Sequence, residues 1–235
     1  MLMANKLSLA TLDKTINTVG YLLERARQPY FLCFGTLLGL VRDRNVVDGD
    51  TDIDIGIRAE DAREKVIMSC FQRFGYMKHK LIRRDDIDMT DPRISHETLV
   101  YVSFKHLTLP CVDVFIWPKS NGYRWHTYDF LNESKERPST YHWKGVKAEW
   151  LDRLEKSTFG TQKKPLFTRN VFFPLMYGHL LDTWYPDWKT PRKGESTSPW
   201  ILEMKSCKGF RDKDFVQKRL IESQEKYNAE LNLIV

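Results

Sequence analysis

Apolar residues recur at helical spacing near the start of the chain. Leu12, Ile16, Val19 and Leu23 fall on one face, with Asp13, Lys14, Asn17 and Glu24 around the rest. The spacing predicts an amphipathic helix over residues 8–27, closed by Pro29. The period then changes. The continuous apolar run at 30–34, YFLCF, predicts a short buried strand, Gly35-Thr36 a turn, and 37–41 a helix. Beyond the polar run 42–45 and a turn at Asp48-Gly49-Asp50, residues 52–57 alternate between carboxylate and aliphatic side chains. On a strand, Asp52 and Asp54 share one face while Ile53 and Ile55 take the other.

Further along, Ala62, Val66, Ile67, Cys70 and Phe71 predict a helix over 59–74, stopped by Gly75. Strands are expected at 76–83, 98–104 and 110–117, the last two forming a hairpin across a short polar link. In the last of these, Val112, Val114 and Ile116 face one way, and Cys111, Asp113, Phe115 and Trp117 the other. Weaker patterns predict strands at 122–130 and 141–146, a short apolar run at 171–174, and helices at 175–184 and 215–233. The pattern loosens after Pro118, which suggests a catalytic core at 1–118 and an elaboration at 119–235, in one continuous domain.

With 42% apolar and 13% aromatic residues among 235, the chain can bury a real core. Net charge is +6. That suits an anionic partner, but basic residues are scattered rather than striped, so dedicated nucleic-acid binding is not expected. Cys33, Cys70, Cys111 and Cys207 form no CxxC pair and read as free thiols in a reducing compartment. No run approaches the roughly 18 apolar residues of a membrane span, and the N-terminus lacks the apolar core of a signal peptide. A cytoplasmic protein is expected, with peripheral membrane contact left open.

Two like charges on one strand face repel each other and resist desolvation, an arrangement that makes sense around a cation. Phosphoryl-type transfer needs alignment and charge neutralisation more than covalent help, and two Mg²⁺ ions (or Mn²⁺) held by hard carboxylate oxygens supply both. Asp52 and Asp54 would hold the donor-side ion. Asp113 either pairs with an Arg or Lys or joins them as a third ligand; its place in a later strand favours the ligand. Gly35 and Thr36 would cradle donor phosphates. Arg42 would meet a phosphate or stand as a solvated helix-end cation. Asp50 shares the acidic face but reads as a turn carboxylate. A second D-I-D, Asp86-Ile87-Asp88, lacks the upstream Gly-Thr-helix and reads as a solvated turn. No Walker A, G-x-S-x-G, G-x-G-x-x-G or tight His/Cys ligand spacing occurs.

Gly-Thr, helix, Asp-x-Asp strand and a third Asp in a later strand: this order resembles the nucleotidyltransferase superfamily. The stretch FGTLLGLVRDRNVVDGDTDIDIGI is similar to the LicD/fukutin family, with its GTLLG-x-x-R run and D-x-D-I/V-D segment. VDVFIW resembles that family's third-Asp strand, and residues 171–191 resemble its C-terminal region. The resemblance implies an α+β fold, a nucleotidyltransferase-type (polymerase-β-like) mixed sheet flanked by helices with a C-terminal elaboration. It also implies transfer of a phospho-alcohol (phosphocholine, ribitol phosphate or glycerol phosphate) from a CDP-linked donor to a glycan or glycolipid. Asp52, Asp54 and Asp113 would then be the metal ligands, with Gly35, Thr36 and Arg42 near the donor phosphates. Transfer of a nucleotide to a small molecule or protein is the alternative, and an inactive binding module on the same fold the second. Asp48-Gly49 stands where the family usually has Pro-Trp, which bears on donor choice more than on catalysis. The membrane anchor of the animal members is absent, which implies a bacterial-type or viral enzyme of surface-polysaccharide precursors.

Overall fold

A computed structural model describes residues 7–83, 99–120, 122–130, 140–159, 165–185 and 187–191. The second D-I-D, Cys207 and the helix expected at 215–233 lie outside the described residues.

The N-terminal amphipathic stretch forms α1 (Leu9–Thr15), a π-helical turn (Ile16–Gly20) and α2 (Tyr21–Arg25) in succession. Ser8 caps it, its hydroxyl accepting from the Thr11 amide. All four residues of the predicted stripe are fully buried. Gly20 in the π turn faces the Tyr30 ring, where a Cβ would lie 2.4 Å from the hydroxyl.

Five strands form the main mixed sheet, in the order β1 (Phe31–Leu32), β2 (Asp52–Arg58), β5 (Cys111–Trp117), β4 (Leu99–Lys105), β3 (Met77–Arg83). The β2–β5 pair is parallel and the other pairs antiparallel. The expected hairpin is therefore β4–β5. One sheet face is aliphatic and packs on α4 (Glu64–Gln72), where the Phe71 and Phe104 rings stack at 3.9 Å. The other face carries Asp52, Asp54, Gly56 and Arg58 on β2, and Cys111, Asp113, Phe115 and Trp117 on β5. Phe34 and Trp184 pack over Trp117 on that face and form an aromatic layer with His126.

A second antiparallel sheet follows, from β6 (Lys119–Ser120), β7 (Tyr123–Phe130) and β8 (Thr140–Lys147). Next come α5 (Ala148–Asp152), β9 (Leu154–Ser157) paired with β10 (Val171–Pro174), and α6 (Tyr177–Trp184). Buried Arg124 on β7 ties the layers together. Its guanidinium donates to Glu60, to Asp152 at 2.6 and 2.8 Å, and to the Trp117 carbonyl at 3.1 Å.

Several elements differ from expectation, among them the short β6 and α5, for which no element was expected. The strand at 30–34 shrinks to two residues, because Phe34 takes a left-handed φ of 43° and opens a helix. The helix at 59–74 starts only at Glu64. Ahead of it the Asp61 amide closes a turn on the Arg58 carbonyl, and the Arg63 amide donates to the Gln28 side chain. β9 was not expected; its sequence, LEKS, has no apolar alternation, and its pairing with β10 supplies the order.

Candidate active site

The parallel register sets Asp54 directly beside Asp113, and Asp52 beside Cys111. Neighbouring strands lie about 4.8 Å apart. One carboxylate oxygen each from Asp52, Asp54 and Asp113 lies within 4.8 Å of the others. Strand alternation and the parallel β2–β5 register together bring the three expected ligands into one cluster.

The segment before β2 explains how this cluster is held. Gly35 and Thr36 are not a turn; they lie in the first turn of α3 (Phe34–Leu38), and Gly39–Asp43 continues it as a π helix. Thr36 is locked onto Asp54 in both directions. Its amide donates to the Asp54 carboxylate, and its hydroxyl accepts from the Asp54 amide at 2.9 Å. The Cys33 amide also donates to the Asp54 carbonyl. This helix start, expected to cradle a phosphate, serves the Asp54 carboxylate. Gly35 and Gly39, one helical turn apart, present bare backbone on the same side. A Cβ on Gly35 would lie 3.1 Å from Asp50 Oδ2 and 3.4 Å from Asp54 Oδ2. On Gly39 it would lie 2.6 Å from the Asn45 carbonyl oxygen, so the loop leading to Asp50 passes directly over this glycine.

Asp113 is oriented from β4. The Tyr101 and Ser103 hydroxyls both bond to its carboxylate, and Ser103 is its register partner. The opposing cost is desolvation. Burial, then the Asp52 charge, pushes Asp113 up to about 6 despite those hydroxyls. Burial, with the charges of Asp52, Asp50 and Asp113, holds Asp54 well above the usual carboxylate range. Burial likewise raises the Cys33 thiol beneath them.

Asp50 plays a larger part than that of a turn carboxylate. Burial and contact with Asp52 push it up to about 7, and its Oδ2 is buried without a protein hydrogen bond. Its place on the acidic face was visible in the sequence; the packing of Gly35 against it was not. Asp43 grips the Arg42 guanidinium through two 2.7 Å bonds, and a third donor reaches the Trp188 carbonyl. Trp125, Trp184 and Tyr185 are buried in the core.

An all-oxygen carboxylate set suits a hard divalent cation, and the mutual repulsion of these groups is what such an ion relieves. The cluster can therefore hold a metal. Carboxylates thus converge from adjacent strands of a mixed sheet, with a short glycine-bearing helix packed on them. Residues 27–166, more than half of the chain, match the family described as the LicD/FKTN/FKRP nucleotidyltransferase domain, and the chain belongs to this family of transferases. Among solved structures it is similar to the lincosamide antibiotic adenylyltransferase LnuA in its lincomycin-bound form. Identity is 14% over 75% of this chain and 86% of that one, with a TM-score of 0.40. No curated protein matches. Among the described residues, no helix is long and apolar enough to cross a membrane.

Proposed function

We propose that this chain is a divalent-metal-dependent phosphotransferase that moves a phospho-alcohol from a CDP-linked donor to a glycan hydroxyl, in surface-polysaccharide synthesis. The observation that carries the reading is the convergence of Asp52, Asp54 and Asp113 in a chain of this family. Mg²⁺, in two sites, is the proposed cofactor; bound there, it would neutralise charge on the donor phosphates and lower the barrier to attack by the acceptor oxygen. Asp52 and Asp54 hold the donor side. Thr36 fixes the Asp54 carboxylate from behind, and Gly35 leaves its approach unobstructed. Asp113, clamped by Tyr101 and Ser103, faces the acceptor and orients its hydroxyl.

Gly35 and Arg42 remain the proposed donor-phosphate flank, which Thr36 supports by holding Asp54. For Arg42 this requires that Asp43 share its guanidinium with the donor. Residues 1–118 are the catalytic core in this reading, and 119–235 its elaboration.

Product analysis tests the proposal. The protein is incubated with Mg²⁺, a glycan acceptor and a panel of CDP-alcohols. Release of CMP with the phospho-alcohol on the acceptor is expected. A nucleotide left on the acceptor would instead establish nucleotidyl transfer. Failure of every donor to turn over would return the fold to a binding role.

A further inference from the structure

The acidic face of β2 ends in a cation. Asp52, Asp54, Gly56 and Arg58 share that face, and Arg58 stands four residues, about 13 Å, beyond Asp54. The Phe31 ring covers Gly56 so closely that a Cβ there would lie 2.2 Å from it. An aromatic wall therefore divides the carboxylates from whatever lies around Arg58.

What lies there is a cavity of about 480 Å³ between the end of α2, the end of β2 and the β9–β10 pair. Pro29, Leu154 and Phe172 give it apolar walls, and Arg27, Arg58 and Lys156 supply cations. Its two acidic linings, Glu24 and Asp152, are already neutralised. Glu24 meets Arg169 at 2.9 Å and Lys156 at 3.6 Å; Asp152 meets Arg124 at 2.6 Å and Lys119 at 2.7 Å. Arg58 is paired with Asp61 at 2.6 Å. Gln28, fully buried in the lining, spends its amide on the Asp61 carbonyl and the Arg63 amide, which fixes that side.

Arg27 is the exception. It is exposed, and its side chain has no hydrogen bond or ion pair among the described residues. It also sits at φ 54°, the left-handed conformation that favours glycine just past a helix end. Arg44 takes the same conformation past another helix end, so the backbone alone does not single Arg27 out; its place on the cavity wall, without a partner among the described residues, does. A cation at a helix C-terminus gains a little from the dipole, but that gain does not call for left-handed backbone.

We propose that this cavity is a second ligand site, taking a phosphomonoester with a planar apolar body. The dianion meets Arg27 and Arg58, and the body lies against Leu154 and Pro29, since Lys156 already stands over the Phe172 ring at 4.3 Å. Arginine suits this role because its planar fork matches phosphate oxygens. The site is separate from the chemistry proposed for the carboxylates and stands or falls without it.

Phenyl phosphate is the probe, titrated calorimetrically into the full chain in EDTA so that no metal at the carboxylates recruits it. Saturable binding is expected, with phenol binding at least about tenfold more weakly. Arg27→Gln is expected to weaken phenyl phosphate at least about tenfold. Arg27→Gly is expected to weaken it equally while raising the melting temperature, since glycine relieves the backbone. That opposite movement is one a structural arginine would not produce. No binding up to about 10 mM, equal binding of phenol, or undiminished binding in Arg27→Gln would each overturn the proposal.

Discussion

Asp113→Asn should make the metal-free protein more stable at pH 8, although it removes a residue of the candidate active site. Asp113 is pushed from 3.8 to about 6 by burial and by Asp52. A carboxyl whose folded value lies above its unfolded one stabilises the fold while both states hold the proton. That contribution is lost as pH rises from about 4 to about 6, and above this the ionised carboxylate is a net cost. The difference between the two values corresponds to about 3 kcal/mol at ~1.4 kcal/mol per tenfold. Asp113 keeps a partly open edge, so solvent trims this to about 1–3 kcal/mol. Asparagine keeps the shape and an acceptor for Tyr101 and Ser103 but carries no charge. For a chain of this size, each kcal/mol moves the melting temperature by about 2–4 °C. Thermal melts in EDTA at pH 5 and pH 8 should show the variant about 3–10 °C above wild type at pH 8, with a smaller gap at pH 5. Mg²⁺ should stabilise wild type and leave the variant nearly unmoved. A variant that melts at or below wild type at pH 8 in EDTA would refute the claim that this carboxylate is held against its own electrostatics.

Other substitutions probe the scaffold. Gly39→Ala forces a Cβ to within 2.6 Å of the Asn45 carbonyl oxygen; a urea melt should show a loss of about 1–3 kcal/mol, and the displaced loop should weaken metal binding through Asp50 and Asp52. Thr36→Val leaves the Asp54 amide without its 2.9 Å acceptor and should cost about 1–3 kcal/mol by the same assay. Arg124→Met strips Asp152 and Glu60 of a buried partner. It should cost about 2–3 kcal/mol, less than a fully buried pair because both acids reach solvent, and should leave Mn²⁺ affinity unchanged in a direct titration.

The period of two made the faces of β2 and β5 legible, because each strand alternates strictly and a single carboxylate interrupts the second. It therefore placed Asp52 and Asp54 on one face of their strand, and Asp113 on the face of its own strand opposite Val112 and Val114. That β2 and β5 would be parallel neighbours was not written in either strand; it depends on how the sheet closes around both. The role of Thr36 was hidden for a similar reason. A Gly-Thr at a helix start reads as a phosphate cradle, and only the arrival of a residue 18 positions later shows that its amide and hydroxyl serve Asp54. Arg42 read equally well as a phosphate ligand or a solvated cation, and its grip on Asp43 belongs to neither picture. From sequence Asp50 reads as a turn carboxylate, because turns commonly carry aspartate, yet its packing on Gly35 ties it to the cluster. Short elements such as β1 and β9 were the hardest to bound. Left-handed backbone at Phe34 and partners far along the chain decide them, not local pattern.

A Mn²⁺ titration of wild type and Asp54→Asn at pH 8, followed by electron paramagnetic resonance, bears most directly on the cluster as a metal site. Saturable binding by wild type and a loss of at least about 100-fold in the variant, about 2.7 kcal/mol, is the expected result. Absent binding by wild type, or equal affinity in the variant, would contradict it.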